Sequence, residues 1–243
     1  LQRIRILPTP DPTMRVLKLL RGEAHLLQND LPSELYGYLS GIDDVTLEAR
    51  AGTTFAYLGF NLEDPQLSKR DIRLAIAHAI DRESIIRFLF NGFAEPAEAV
   101  LRPGHWAGNA ALPAHVYDPD IARSLLGKSG FSSDKPLRLT YKTSSDPFRL
   151  RIAHVFQQQL AEVGIELSIN SYDWGTFFGD IKAGRFQLYS LAWVGVNTPD
   201  ILRYAFHSAS LPPDGANRGR YIEADVDKLI GQAEQLPGVE AIA

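Results

Sequence analysis

The sequence predicts an α/β fold, and three observations carry that prediction. Residues 137–169 read as strand, helix, strand, with lengths that suit a βαβ unit. Residues 54–96 read as a strand, a proline loop and two helices in succession. Between residues 171 and 234, further amphipathic stretches alternate with an apolar β-like run, Phe186 to Val194.

The central stretch is TFAYLGFNLEDPQLSKRDIRLAIAHAIDRESIIRFLFNGFAEP, Thr54 to Pro96. Phe55, Tyr57 and Phe60 give the alternation of a strand, and Asp64-Pro65 reads as a turn. Ile72, Ala75, Ile76, Ala79 and Ile80 fall at helical spacing behind Ser68, which is expected to cap. Burying each isoleucine is worth roughly 1.5–3 kcal/mol, so this face is read as core. Asp81 suits the N-cap of a second helix bearing Ile85, Ile86 and Leu89, and Gly92 suits its stop.

Before this stretch, Leu1 to Leu7, Ala24 to Gln28 and Val45 to Ala49 read as short strands. Thr13 to Leu20 and Ser33 to Leu39 read as short helices. Asn29 to Pro32 reads as a turn. Asp43-Asp44 lacks neighbouring His or Glu and reads as a solvated turn rather than an acid/base or metal pair. After it, Pro103, Gly104, Pro113 and Pro119 forbid a long element between Val100 and Pro119. Asp118 and Pro119 then open a helix that Gly127 or Gly130 ends. Leu137 to Tyr141 is a strand and Thr143 to Pro147 a polar loop. Arg149 to Val163 is a helix stopped by Gly164, and Ile165 to Ile169 is a strand whose crossover should be right-handed. Ser171 to Phe178 opens a helix that Gly184 closes. Asp200 to Phe206 and Ala224 to Glu234 are helical, with a loop at Leu211 to Gly219 between them. Residues up to Ala243 enter what reads as a further helix.

Composition narrows the function classes. A formal charge of −4 gives no reason to expect nucleic acid or an acidic membrane as partner. With no cysteine, disulfides, thiolate metal sites and cysteine nucleophiles are all excluded. No apolar run approaches the ~18 residues of a membrane span. There is no Gly-x-Ser-x-Gly elbow, no phosphate-binding Walker loop and no His-Glu-x-x-His, and the six histidines are scattered. These features point away from an enzyme, a cofactor and a metal site.

YLGFN, RDIRLAIAHAIDRESII and NGFAEPA together resemble the central signature of the family 5 extracellular solute-binding proteins. The order continues in YDPDIARSLL followed by GF, in QQQLAEVGIELSI, in YDW, and in NRGRYIEADVDKLIGQAE. GEAHLLQNDLP resembles an earlier family segment. The likeness spans nearly the whole chain but only the second part of a full-length member. It implies a type II periplasmic-binding-protein-like fold. Residues 1–53 would be a remnant of the first lobe and residues 54–243 the distal solute-binding lobe, truncated at its C-terminal end.

Such proteins close two lobes over a ligand, and open α/β sheets place sites outside the carboxyl ends of their strands. Three segments leave predicted strand ends: Thr143 to Asp146, Tyr172 to Trp174 and Trp193 to Asp200. The candidate ligand residues are Thr143, Ser145, Trp174, Trp193, Val196, Asn197 and Asp200. Each has a plainer reading, Trp193 as a strand core residue and the polar ones as turn residues. The resemblance sets Val196 where dipeptide binders carry an Asp for the peptide ammonium, with Asp200 four residues on. Thr143 to Ser145 stand where those binders offer Arg and Tyr for the carboxylate. The dipeptide ligand is therefore not carried over. Asn217 and Arg218 are expected to order the loop before Tyr221, and Arg203 to be a surface charge.

The resemblance implies a solute receptor of an ABC importer. It would hold a small solute, a peptide first among the candidates, and deliver it to membrane permease subunits. Its location would be periplasmic or extracellular, with a lipid anchor as a further option. Carriers of nickel chelates or haem are variants of that reading. A different class, the ligand-sensing domain of a cytosolic transcription regulator, stays open.

Overall fold

The computed structural model describes residues 3–28, 31–50 and 52–235. In chain order its elements are α1 (Pro12–Leu20), α2 (Ser33–Leu39), β1 (Phe55–Phe60), α3 (Arg70–Ala79), α4 (Arg82–Leu89), α5 (Pro119–Lys128) and β2 (Leu137–Ser144). There follow α6 (Pro147–Ala161), β3 (Ile165–Tyr172), α7 (Trp174–Lys182), β4 (Leu188–Trp193), α8 (Asp200–Phe206) and α9 (Ala224–Ala233), with a 3-10 turn at Ser208–Ser210. They gather into two units. One comprises Leu1–Ala51 with Glu83–Glu95, the other Gly52–Arg82 with Pro96–Ala243.

In the smaller unit, α1 starts as Pro and Asp dictate. The Asp11 carboxylate accepts from Met14 N, Pro12 occupies the first turn where no N–H is needed, and Gly22 exits at φ 72°. Ser33 Oγ donates to Leu89 O at 2.9 Å, and the Tyr36 and Phe93 rings lie 5.2 Å apart. Leu39 and Val16 are buried.

The three short strands expected here do not form among the described residues. Residues 3–7, 24–28 and 45–49 run without regular pairing, and Ile4, Ile6 and Leu26 are exposed. A strand is stabilised by its neighbour's hydrogen bonds, and no described neighbour is offered to these segments. Leu1, Gln2, Asn29 and Asp30 lie outside the described residues, as does the helix expected towards Ala243.

The larger unit is built on one mixed sheet in the order β1-β4-β2-β3. β2 pairs with β3 in parallel from Leu137↔Ile165 to Ser144↔Tyr172, as a βαβ unit requires. β4 lies parallel on the other side of β2, and β1 runs antiparallel to β4 from Phe55↔Trp193 to Phe60↔Leu188. The carboxyl ends of β2, β3 and β4 therefore share one end of the sheet.

Each face of the sheet has its helix. Leu137, Leu139 and Tyr141 bury against α6, where Ile152, Ala153, Phe156 and Leu160 are buried, and the Tyr141 and Phe156 rings meet edge to face at 5.9 Å. On the opposite face α7 supplies Phe177 and Ile181 to a cluster with Phe186 and Tyr189, against which Tyr57, Tyr172 and Leu191 pack. Ile72, Ala75, Ile76 and Ala79, the face read from the sequence as core, are all 0–1 % exposed and turn α3 towards α5.

Element boundaries and caps differ from expectation at three places. Helix α3 opens at Arg70 with Lys69 at the N-cap and no side-chain cap; Ser68 lies one residue before the cap and turns its hydroxyl to Pro65 O at 3.3 Å. Asp64 organises that turn instead, accepting from Gln66 N at 2.9 Å and Leu67 N at 3.1 Å. Thr143 and Ser144 prolong β2 rather than opening a loop, and Asp146 caps α6. β3 likewise runs on to Tyr172 before Asp173 caps α7, accepting from Thr176 N at 3.1 Å.

One glycine is required by a close approach. Gly59 lies opposite Tyr189, whose ring covers it so closely that a Cβ would stand 2.3 Å from a ring carbon. Gly59→Ala should displace Tyr189 and cost about 1–3 kcal/mol, as overpacking does. A lowered urea midpoint with an unchanged slope would show it, and an unchanged midpoint would mean that the ring moves freely.

Candidate ligand site

A cavity of about 680 Å³ opens in the larger unit along β1 and β4. This is within the range of small-molecule sites, ~300–1,000 Å³. Its walls are mostly aromatic and aliphatic: Tyr57 and Tyr189 from the sheet, Leu202 and Phe206 from α8, and Ile230 from α9. Three charged residues line it, Arg73, Glu98 and Arg218.

The alternation of strands builds the aromatic wall. Phe55, Tyr57 and Gly59 on β1 stand opposite Trp193, Leu191 and Tyr189 on β4, and all face α7. Tyr57 stacks on Trp193 with ring centres 6.0 Å apart and planes 14° apart, and on Phe55 at 6.4 Å. From α7, Trp174 stacks on Phe178 at 5.4 Å and 7°. Arg218 joins the two stacks, with its guanidinium 4.5 Å over Trp193 and 5.4 Å over Phe178. It also donates to Tyr57 Oη at 3.1 Å. A continuous row thus runs Trp174, Phe178, Arg218, Trp193, Tyr57, Phe55.

Arg218 is held by its neighbours. Asn217, 1 % exposed, donates from its amide to His207 O and to Tyr221 O, and accepts from Tyr221 N at 2.9 Å. Leu62 N donates to Gly219 O at 2.9 Å, tying this loop to the end of β1. Burial raises the Tyr189 hydroxyl pKa far above its usual value, and the neighbouring Tyr57 hydroxyl adds to the shift, so Tyr189 stays a neutral phenol. Below it, Lys142 and Arg185 both bond Asp180 and hold its carboxyl below the usual carboxylate range.

The seven residues singled out in the sequence divide in the structure. Trp193 lines the cavity, and Trp174, 59 % exposed, joins the same row through Phe178 and Arg218. Thr143 is 1 % exposed and shares the α6 face with Tyr141, the face opposite Trp193. Ser145 is exposed at the carboxyl end of β2, its N–H donating to Tyr172 O at 2.8 Å. Val196 donates its N–H to Thr53 O at 3.2 Å, and Asn197 O accepts from His105 Nε2 at 3.0 Å. The Asp200 carboxylate is exposed and accepts from Thr198 Oγ1 at 3.0 Å. Val196, Asn197 and Asp200 do not line the cavity.

Arg218 was read in the sequence for its loop alone. Its place over Trp193 follows from a pairing between elements 25 residues apart, which no local pattern encodes. Arg203 is not a lone surface charge, since its guanidinium bonds the Glu234 carboxylate. Among the described residues no group of three or more His, Asp or Glu could hold a metal ion. No helix among them is long and apolar enough to cross a membrane.

Sheet order and helical layers are those of the type II periplasmic-binding-protein fold. The periplasmic binding protein DppA of Helicobacter pylori, solved with the peptide STSA, superposes with a TM-score of 0.82 at 23 % identity. That match covers 96 % of this chain and 46 % of the other. The family model of bacterial extracellular solute-binding proteins, family 5 Middle, matches residues 1–210, and the chain belongs to that family. It is 26 % identical over 233 residues to the dipeptide-binding protein of Escherichia coli, covering 93 % of this chain and 43 % of that protein. It is also 26 % identical over 246 residues to haem-binding protein A of Haemophilus influenzae, covering 99 % and 44 %. The chain therefore spans somewhat over two-fifths of the length of these curated relatives. The family is one of solute-binding proteins rather than enzymes.

Proposed function

We propose that this chain is part of a receptor that captures a small solute, a peptide in the first instance, for an ABC importer. In this reading residues 54–243 form the distal lobe and residues 1–53 belong to the first lobe, with Glu83–Glu95 gathered onto the smaller unit. The solute is enclosed by hinge closure in the periplasmic or extracellular space and handed to permease subunits. The observation that carries the reading is the aromatic-walled cavity beside Trp193 in a family 5 chain. No covalent step is needed. Binding shifts an open–closed equilibrium by the difference in the ligand's affinity for the two states. A haem or metal-chelate carrier is the second reading. It is favoured by the match to haem-binding protein A and by the volume and apolar lining of the cavity.

Thermal unfolding of the whole protein against di-, tri- and oligopeptides, nickel chelates and haem tests this. A true ligand at 100 times its dissociation constant should add about 2.7 kcal/mol of stability. A shift with one peptide class supports the receptor reading and sets the length. A shift with haem or chelate alone replaces the peptide. Silence from a folded protein sinks both and leaves another, non-peptide solute or the sensor role.

A further inference from the structure

We infer that Arg218 is the anion subsite of the ligand site, holding the terminal carboxylate of a bound peptide against the Trp193–Tyr57 wall. The inference rests on the receptor reading above and adds which group of the solute is recognised and by what.

Charge accounting in the cavity leads to it. Of the three charged lining residues, Glu98 is taken by Arg82, whose Nη2 lies 2.9 Å from its carboxylate. Arg73 spends Nη1 on Leu67 O and Ser68 O, both at 2.8 Å, closing the turn before α3. Arg218 alone of the three projects its guanidinium into the aromatic row, and it forms no ion pair with a carboxylate among the described residues. A guanidinium carries five N–H donors. The Tyr57 hydroxyl uses one and the Tyr189 hydroxyl engages another, and ring faces accept none of the remainder in plane. A half-buried cation beside an apolar wall is costly to leave without a counter-charge.

The group is also prepared for its partner. The guanidinium sits between two rings, 4.5 Å from the Trp193 centre and 5.4 Å from that of Phe178, and a guanidinium so confined can offer the fork that carboxylates accept in two parallel hydrogen bonds. The loop beneath is pinned by the three Asn217 bonds, and Gly219 sits so close to Phe60 O that a Cβ there would stand 2.9 Å away. Little ordering is left to be done when the ligand arrives. A single guanidinium in an otherwise apolar cavity suits one carboxylate next to an apolar or aromatic side chain. A phosphate would call for more donors than this wall supplies.

The test is calorimetric titration of the whole protein with a peptide that the thermal panel selects, as free acid and as C-terminal amide. Arg218→Met and Arg218→Lys are titrated beside the parent, each first shown to be folded by its unfolding transition. The parent should bind the acid roughly ten- to hundredfold tighter than the amide, the factor expected for a charge-assisted hydrogen bond. Arg218→Met should bind acid and amide alike, and Arg218→Lys should keep part of the preference. A merely structural Arg218 would weaken both peptides equally and leave their ratio intact. That result, or equal binding of acid and amide by the parent, overturns the subsite while the receptor reading stands. If no peptide binds the folded parent, the peptide reading itself falls, and this inference with it.

Discussion

Asn217→Ala should destabilise the larger unit by about 3–5 kcal/mol. Its amide is one of the few polar side chains buried in the structure, and it makes three hydrogen bonds to the backbone. Removing it strands two carbonyls and one N–H in a place with little access to water. Each such group costs about 1–3 kcal/mol. At ~2–4 °C per kcal/mol for a chain of this size, the melting temperature should fall by roughly 10 °C. Asn217→Asp is the informative companion. It keeps an acceptor for Tyr221 N but faces His207 O and Tyr221 O with an oxygen instead of an amide donor, so it should recover only a minority of the loss. A loss below about 1 kcal/mol for Ala would mean that the loop is held by other contacts, such as the Leu62–Gly219 bond. Binding gives a second readout. If Asn217 positions Arg218, the variant should also lose the discrimination between acid and amide at temperatures where it remains folded.

The same residue shows what could be read beforehand. Asn217 and Tyr221 lie four apart, so a local bond between them was visible in the spacing, and the structure contains it. The α3 core face, the Asp118-Pro119 helix start, the parallel β2–β3 pair and the glycine stops at Gly92, Gly130, Gly164 and Gly184 were legible for the same reason. Each depends on residues close in sequence. The sheet order was not legible. Nothing in FAYLGF or LYSLAW states that these strands pair antiparallel, because that pairing joins Phe55 to Trp193 across the whole larger unit. The Arg218 row was hidden for this reason, since it exists only once α7, β4 and the Asn217 loop meet. Alternation also misled at the N-terminal end. Apolar and basic residues at 3–7 alternate as in a strand, but a strand pattern forms a strand only beside a partner.

Trp193→Ala should weaken ligand binding in the whole protein by roughly thirtyfold or more, the scale of a tryptophan anchor worth about 2 kcal/mol. Trp193 is one of four members of the row that also line the cavity, with Phe55, Tyr57 and Arg218. It stacks on Tyr57, carries the Arg218 guanidinium 4.5 Å above its face and meets Tyr204 edge to face at 5.9 Å. Truncation would remove an apolar wall and free the guanidinium to swing, so both the body and the charged end of a ligand would lose their support. Trp174→Ala should cost less, since that ring is mostly in water and reaches the cavity only through Phe178. The plainer alternative is that Trp193 serves the fold. It sits on β4 opposite Phe55, and its removal will lower stability in either case. Affinity separates the two. Isothermal titration well below the variant's melting temperature should show the thirtyfold loss with Ala and partial recovery with Phe, which restores a ring but a smaller face for Arg218. Unchanged affinity in both Trp193→Ala and Trp174→Ala, with stability reduced, would make this row a structural seam and move the ligand elsewhere.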